Sequence, residues 1–201
     1  MITTLITTLS ILAPGALHGE PLACPVMGGK ANHSLASTDF NGVRYWYCCN
    51  GCKAAFEKDP AAALKSNKLK GKTAGVFLFD PVSGARLEHD KAIKESSDFG
   101  GVRYLFASAE NKAAFDKDPK KYGTLPQKEA LYCAVGKEAV ASYEAASGFV
   151  DHKGVRYYMC CGGCEKEFAA AADKFATASA AFVKAPSVAN PKPKTNKDGG
   201  R

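Results

Sequence analysis

The chain has 201 residues, 46% of them hydrophobic, and a net charge of +7. This length suits one ordinary domain or several very small ones, and very small units usually need a metal, disulfides or packed neighbours. Residues 184–201 alone hold five basic side chains against one acidic, a net charge of +4. The rest of the chain therefore carries only +3, which argues against a nucleic-acid-binding surface.

Residues 1–19 form the first predicted segment, a signal or leader. The stretch from Met1 to Leu17 has no charged side chain and an apolar middle, although it lacks the Lys or Arg that usually opens a secretory signal. It is too short and too rich in threonine to span a membrane, and no other segment is apolar enough to do so. We expect an exported protein, periplasmic or extracellular. The alternative is a cytoplasmic protein with an unstructured leader.

Three segments of the chain repeat one another, which indicates internal duplication. The sequence Gly-Val-Arg-Tyr occurs at 42–45, 101–104 and 154–157, and a matching start begins upstream at Cys24, Asp80 and Cys133. The predicted organisation is unit one (20–68), unit two (74–123), unit three (127–178) and a basic tail (179–201). The Pro and Lys content of the tail predicts disorder.

Each unit is predicted to be a β-hairpin followed by a short helix. The hairpin turns fall at Asn41-Gly42, Gly100-Gly101 and Lys153-Gly154, where glycine supplies the positive φ of a two-residue turn. After the first turn, Val43, Tyr45 and Tyr47 alternate with Arg44 and Trp46, the period of a half-buried strand. A helix that contains Phe56 follows, and Asp59-Pro60 should end it. We expect Tyr45 and Phe56 to pack the hairpin against the helix.

These elements predict an α+β protein made of small treble-clef or zinc-finger-like units, repeated three times. Because each unit buries too little surface to be stable alone, the three should pack together. We expect each unit to keep its own hairpin, with no sheet that continues from one unit into the next.

The eight cysteines occur only in units one and three. Three in each unit have the spacing of metal ligands: Cys24, Cys48 and Cys52, and Cys133, Cys160 and Cys164. Cysteines four residues apart at a helix start lie on one face, and the positive end of the helix favours thiolate. Zinc takes four ligands in a tetrahedron, whereas Cu(I) accepts two or three thiolates. We expect two soft metal ions per chain, Zn(II) or Cu(I).

The fourth ligand is left open by the sequence. Met27 is a candidate in unit one, but its counterpart in unit three is Gly136. Each of these two units has one further cysteine, Cys49 in unit one and Cys161 in unit three. These two are either additional ligands or exchange thiols. His33 has no histidine counterpart in unit three, so we expect a surface residue. Structural disulfides are the alternative to metal, but the loops closed within each cluster would be too short to stabilise much.

Unit two has lost the whole cysteine set together. Asp80, Ala107, Ser108 and Asn111 stand at the four cysteine positions. Five aromatic residues that a core needs are kept, namely Phe77, Phe79, Tyr104, Phe106 and Phe115. We therefore expect unit two to fold without metal, through apolar burial and contact with its neighbours.

Several residues of unit one form a family pattern: the Cys24-Pro-Val-Met-Gly start, Tyr45 to Cys48, Cys52, Phe56 and Asp59-Pro60. They resemble the YHS domain and the related TRASH domain, and the resemblance covers residues 22–176. It implies a treble-clef-like finger and a role in heavy-metal sensing, transport or resistance, often with copper. It also implies that the six spaced cysteines are the ligands. A TRASH-type regulator would carry a DNA-binding domain, which this sequence does not display.

The first functional hypothesis is a carrier or buffer for Cu(I) or Zn(II) in metal homeostasis or resistance. The alternatives are an interaction or scaffold module with purely structural cysteine sites, and a thiol-redox protein that uses the Cys-Cys-x-x-Cys cluster. The sequence contains no paired carboxylates, nucleophile with a base, or phosphate loop, so we expect no enzymatic activity. The expected partners are the metal ion and a metal transporter or another metalloprotein, and not a nucleic acid.

Overall fold

The computed structural model describes residues 20–88 and 95–189, and the predicted leader lies outside them. The protein is mixed α+β. The strands are β1 (Asn32–Phe40), β2 (Val43–Tyr47), β3 (Gly75–Phe77), β4 (Ser96–Phe99), β5 (Val102–Leu105), β6 (Lys128–Ala130), β7 (Tyr132–Cys133), β8 (Glu138–Ala139), β9 (Gly148–His152), β10 (Val155–Met159) and β11 (Val188–Ala189). The helices are α1 (Asn50–Lys58), α2 (Pro60–Leu64), α3 (Ala109–Lys117), α4 (Pro119–Gly123), α5 (Cys164–Ala170) and α6 (Ala172–Ala178). Within the described ranges, no helix has the length and apolar character needed to cross a membrane.

The three predicted hairpin turns are confirmed. They join β1 to β2, β4 to β5, and β9 to β10, and both central residues of each turn have positive φ. In the first turn φ is 52° at Asn41 and 72° at Gly42. Two successive positive values define a type I′ turn, whose twist matches that of the flanking strands.

A helix follows each hairpin and packs against it through the predicted aromatic pair. The helices α1, α3 and α5 begin at Asn50, Ala109 and Cys164. The ring centroids lie 5.0 Å apart in Tyr45–Phe56, 4.8 Å in Tyr104–Phe115 and 4.9 Å in Tyr157–Phe168. Each of these rings is buried, and such pairs stabilise by about 0.5–1.5 kcal/mol beyond their area burial. The five aromatic residues expected in the core of unit two are also buried.

The Asp-Pro sequence ends the first helix as predicted, but a second short helix begins there. Asp59 ends α1, and its side chain then accepts a hydrogen bond of 2.9 Å from the Ala62 amide in α2. Asp118 does the same in unit two, accepting at 3.1 Å from the Lys121 amide in α4. The residue after each aspartate is proline, which suits the first position of a helix. The sequence pattern did not predict this second helix.

The expectation that no sheet crosses a unit boundary is wrong. A six-stranded sheet has the order β11-β1-β2-β3-β5-β4 and so joins units one and two. The joining strand is β3, which pairs antiparallel with β2 and parallel with β5. The reason is that each hairpin leaves an edge strand with unpaired backbone groups, and β3, the first strand of unit two, pairs with both edges at once.

Unit three has a separate three-stranded sheet of order β6-β10-β9. A single bridge between Ala85 and Gly148 connects it to unit two. The prediction of a disordered tail from residue 179 is also wrong for its first part. Strand β11 pairs with β1, and Lys184 bridges Glu129 in unit three. Apart from these backbone bonds, apolar side chains such as Val183 and Ala189 pack against the core.

The arginine of each Gly-Val-Arg-Tyr sequence forms a two-pronged ion pair with the aspartate five residues before it. The pairs are Arg44–Asp39, Arg103–Asp98 and Arg156–Asp151, with N···O distances from 2.7 to 2.9 Å. Bidentate pairs of this kind fix geometry as well as charge. They lock the two strands of each hairpin in register, because the paired residues face each other across the ladder.

Arg156 differs from the other two because it lies between units two and three. Its side chain is 1% exposed, and its guanidinium carbon lies 3.9 Å from the ring centroid of Phe149 and 5.1 Å from that of Phe77. A desolvated guanidinium over aromatic faces gains about 2 kcal/mol or more. Arg156 therefore connects the third unit to the shared sheet.

We expect Arg156→Ala to lower the free energy of unfolding by about 2–4 kcal/mol, because it removes buried aromatic contacts and leaves a cavity. Urea denaturation measures the change. Arg103→Ala is the matched control: it removes an ion pair of the same type, with Asp98, but not the ring contacts that Arg156 makes, so the loss should stay at about 1 kcal/mol or below. Equal losses for the two variants would contradict a special role for Arg156.

Candidate metal centre

The structure brings the six spaced cysteines together as two triads. The sulfurs of Cys24, Cys48 and Cys52 lie within 4.8 Å of one another, and so do those of Cys133, Cys160 and Cys164. Within a triad, the sulfurs four residues apart are separated by 3.8 Å in unit one and 4.0 Å in unit three. A tetrahedral ion with metal–sulfur bonds of about 2.3 Å holds its sulfurs about 3.8 Å apart. The thiols therefore have the spacing of a metal site.

Three elements contribute one cysteine each to a triad. The first cysteine starts a tight loop, called the knuckle, which spans residues 24–29 in unit one and 133–138 in unit three. The second follows the last strand of the hairpin, and the third lies in the first turn of the helix. In unit one the knuckle is closed by a hydrogen bond of 2.8 Å from the Gly28 amide to the Cys24 carbonyl. The φ of Gly28 is 69°, in the left-handed region that favours glycine.

Unit two keeps the same knuckle with an aspartate at the first position, and this substitution reveals the electrostatics of the site. The Asp80 carboxylate accepts hydrogen bonds from the amides of Val82 (2.8 Å), Ser83 (2.9 Å) and Ala107 (2.7 Å). It also accepts a bond of 2.8 Å from the Asn111 side chain, which stands at the third cysteine position. A cradle of amides thus holds an anion, and hydrogen bonds join the three positions that thiols occupy elsewhere.

In unit one the corresponding backbone amides donate hydrogen bonds to the sulfur of Cys24. Burial opposes the charged form of Cys24, but hydrogen bonds from the amides of Met27, Cys48 and Val26 lower its pKa. In unit three the Gly136 amide lies 3.3 Å from the Cys133 sulfur and donates to it. There too burial opposes the charge, and the amides of Gly136 and Cys160 lower the pKa of Cys133. The first ligand position is thus built for a thiolate, the form that binds metal.

The other triad thiols are held neutral in the absence of metal. Burial, together with contacts to neighbouring thiols, raises the pKa of Cys52 and raises that of Cys164 to about 12. Burial and then the hydrogen bond with Cys24 raise the pKa of Cys48. A hydrogen bond with the Glu138 carboxylate, followed by burial, raises the pKa of Cys160. Each triad therefore combines one thiolate-stabilising position with two thiols that must lose protons when a metal binds.

Cys49 and Cys161, the additional cysteines, lie outside the triads but touch them. Both are exposed, and their sulfurs lie 3.2 Å from Cys52 and 2.6 Å from Cys164. Cys49 is the residue just before α1, the position at which Ser108 in unit two caps α3 by accepting from the Asn111 amide, whereas Cys161 lies three residues before α5. Within the described ranges, all eight cysteines are free thiols.

Two other candidates lie apart from the sulfur clusters. Met27 is 55% exposed, and its sulfur contacts the Lys68 ammonium at 3.9 Å. His33 is exposed, as expected, with its ring 4.6 Å from that of Trp46.

Met159 and Glu138 both adjoin the triad of unit three, and neither was predicted from the sequence. Met159 is fully buried, with its sulfur 3.9 Å from the Cys133 sulfur. Glu138, an exposed residue, bonds to Cys160. The available signal was that Met159 directly precedes Cys160, at a position that is aromatic in units one and two.

Comparison with known proteins finds no matching family model, no matching curated protein and no matching solved structure. The geometry of the two triads therefore carries the functional interpretation.

Metal affinity at both triads should rise steeply with pH. The raised pKa values of two thiols mean that binding displaces at least two protons, so the apparent Zn(II) affinity should increase about a hundredfold per pH unit around neutrality. Acidification should release the metal for the same reason. Competition with a zinc indicator at three pH values, corrected for protonation of the indicator, measures the slope. A slope of one proton or fewer would contradict the assignment of two neutral thiols.

The middle unit should become a third metal site when its cysteines are restored. In Asp80→Cys combined with Ala107→Cys and Asn111→Cys, the cradle already present should hold the new thiolate. Titration with Co(II), followed by its thiolate absorption, should then give three ions per chain in place of two. Asp80→Cys alone is the control and should add none. A folded triple variant that still binds two ions would show that the cradle does not specify a metal site.

Proposed function

We propose that the protein binds one soft metal ion, Cu(I) or Zn(II), at each cysteine triad and acts as a non-enzymatic carrier or buffer in metal homeostasis or resistance. The observation that carries this proposal is the close approach of three sulfurs, within 4.8 Å, beside a fourth thiol that is exposed. A site of this kind binds an ion and can also pass it on.

The number of ligands favours transport over a purely structural role. Structural zinc sites are closed, with four protein ligands, whereas sites that exchange ligands keep a position open. Each group of mutually close His, Cys, Asp or Glu ligand atoms found in the described part of the chain has three members. An ion held by three thiolates, with no fourth Cys, His or carboxylate ligand in the group, can accept an incoming donor at the remaining position or exchange a weak neutral ligand for it.

The middle unit argues against a scaffold that depends on metal. Its hairpin, helix and aromatic core are formed around the Asp80 hydrogen bonds, with no cysteine at all. Since the same chain contains a metal-independent version of the unit, the cysteines of units one and three are not needed merely to hold the hairpin against the helix. Their retention is better explained by a role for the ion itself.

The exposed thiols offer a route for transfer. Cys49 touches the buried Cys52, and Cys161 touches the buried Cys164. An ion could move outward from the buried sulfur to the exposed one, and then to a thiol of the acceptor. We propose a metal transporter or another metalloprotein as the acceptor. The YHS- or TRASH-like, treble-clef description of the units and an exported location belong to the same proposal.

A second candidate function is thiol–disulfide exchange, because the separation of 2.6 Å between the Cys161 and Cys164 sulfurs favours it. Attack by Cys161 on a low-molecular-weight disulfide such as oxidised glutathione would give a mixed disulfide and release one reduced thiol. Attack by Cys164 would then form the internal disulfide and release the second thiol, and the two protons of the protein thiols end on the two released thiols. This chemistry would remove Cys164 from the metal site.

One experiment separates these functions: metal titration of the reduced protein with Cu(I), Zn(II) and Co(II), alongside a thiol count. We expect two ions per chain. The double variant Cys48→Ser with Cys52→Ser should bind one, and unit three should keep its site. Cys49→Ser should still bind two ions but deliver the first-unit ion more slowly to a thiol chelator.

Other outcomes would decide against the proposal. Failure of the reduced, folded protein to bind any of the three ions would overturn it. Unfolding of the whole chain on metal removal would support the structural alternative. Rapid loss of two thiols per unit to oxidised glutathione while metal is bound would favour the redox function.

A further inference from the structure

We propose that the two metal sites differ in metal preference: Met159 supplies a fourth, thioether ligand in unit three, which makes that site selective for Cu(I) over Zn(II). This inference rests on the metal-binding function proposed above. It concerns only which ion the third unit prefers and which residue decides it.

The position of Met159 is the first observation. Met159 ends β10 immediately before Cys160, and its side chain is fully buried. Its sulfur lies 3.9 Å from the Cys133 sulfur, almost the same as the 4.0 Å between Cys160 and Cys164. Four sulfurs around one ion are expected at this spacing, about 3.8 Å for metal–sulfur bonds of about 2.3 Å.

The second observation is that the other units place an aromatic ring at this position. Tyr47 packs on Phe56 with ring centroids 5.8 Å apart, and Phe106 packs on Phe115 at 5.4 Å. These rings fill the space between hairpin and helix. In unit three the flexible thioether of Met159 stands in place of this ring, beside an intact cysteine triad. A core role alone does not account for this choice, since an aromatic ring serves in both other units.

Unit one has no equivalent thioether in its site. Its own methionine, Met27, is 55% exposed and contacts Lys68, and the residue at the Met159 position is Tyr47. Gly136 stands at the Met27 position in unit three, where a Cβ would come within 2.5 Å of the Cys160 sulfur. The glycine therefore allows Cys160 to approach the knuckle closely, and the methionine comes from the strand instead.

The chemistry of a thioether then sets the preference. Methionine sulfur is soft and uncharged, and soft ligands select Cu(I). The Glu138 carboxylate is a second candidate for the fourth ligand, because it bonds to Cys160. A carboxylate oxygen is a harder ligand than a thioether sulfur and would suit Zn(II). We assign the fourth position to Met159 because it is buried at the cysteine sulfurs, whereas Glu138 is exposed to water, which competes for a carboxylate.

The test isolates the third-unit site by using the full chain with Cys48→Ser and Cys52→Ser. In this background, Met159→Leu keeps side-chain volume and removes the sulfur. The Cu(I) affinity, measured by competition with a chromophoric Cu(I) chelator, should fall at least about tenfold, which corresponds to about 1.4 kcal/mol. The Zn(II) affinity should change by less than about twofold. Met27→Leu is the matched control, because Met27 is exposed and belongs to unit one, and it should leave the Cu(I) affinity unchanged.

A direct measurement keeps the inference testable if Met159→Leu fails to fold. Selenomethionine is incorporated into the isolated-site protein that carries Met27→Leu, and selenium-edge X-ray absorption is recorded after Cu(I) loading. A copper neighbour of selenium is expected. Absence of that neighbour, or equal losses of Cu(I) and Zn(II) affinity in Met159→Leu, would overturn the role of Met159 while metal binding stands. Failure of the isolated-site protein to bind either ion would instead count against the proposed function.

Discussion

The cradle of backbone amides at the first ligand position is the constraint on which the sites depend. A tight knuckle turns several N–H groups toward one buried atom, and such a cluster of donors requires an anion. Unit two supplies a carboxylate, Asp80, whose oxygens accept three amide bonds. Units one and three supply Cys24 and Cys133, whose pKa values the amides lower against the effect of burial. One backbone geometry thus supports either an internal hydrogen-bonded link or a metal thiolate.

The rest of the fold makes the metal dispensable as a scaffold. The aromatic pair between hairpin and helix, and the arginine–aspartate pair across each hairpin, occur in all three units, with or without cysteines. The shared sheet and the buried Arg156 then join the units to one another. Because apolar burial and these contacts form the framework, an ion bound at a triad would not be needed to hold it together, and could leave without unfolding the chain. That independence is what a carrier or buffer requires, and a structural zinc finger lacks it.

The two triads are similar in geometry and different in surroundings. Each pairs buried sulfurs with an exposed thiol that touches the site, so each has an inner and an outer position for an ion. The residue just before the second cysteine of the triad is Tyr47 in unit one and Met159 in unit three, and both are buried. An ion bound in unit three would therefore have a soft, polarizable thioether beside Cys133, whereas in unit one the corresponding side chain is an aromatic ring that packs on Phe56. The chain thus holds two cysteine triads of similar geometry, and the residue before the second cysteine makes their environments different.

The sequence by itself determined the local features. Two-residue turns need glycine at positive φ, as at Gly42. The period of a strand follows from alternating side chains, as in the strand that begins at Val43, and cysteines four residues apart meet at the start of a helix, as at Cys52. These features depend on neighbours along the chain, which a pattern records. The tertiary structure alone decided which strands share a sheet, that the segment after residue 179 returns to pair with β1, and that Met159 reaches Cys133. Such contacts join residues distant in sequence, and their energy depends on which unpaired edge or cavity each segment finds, which no local pattern records.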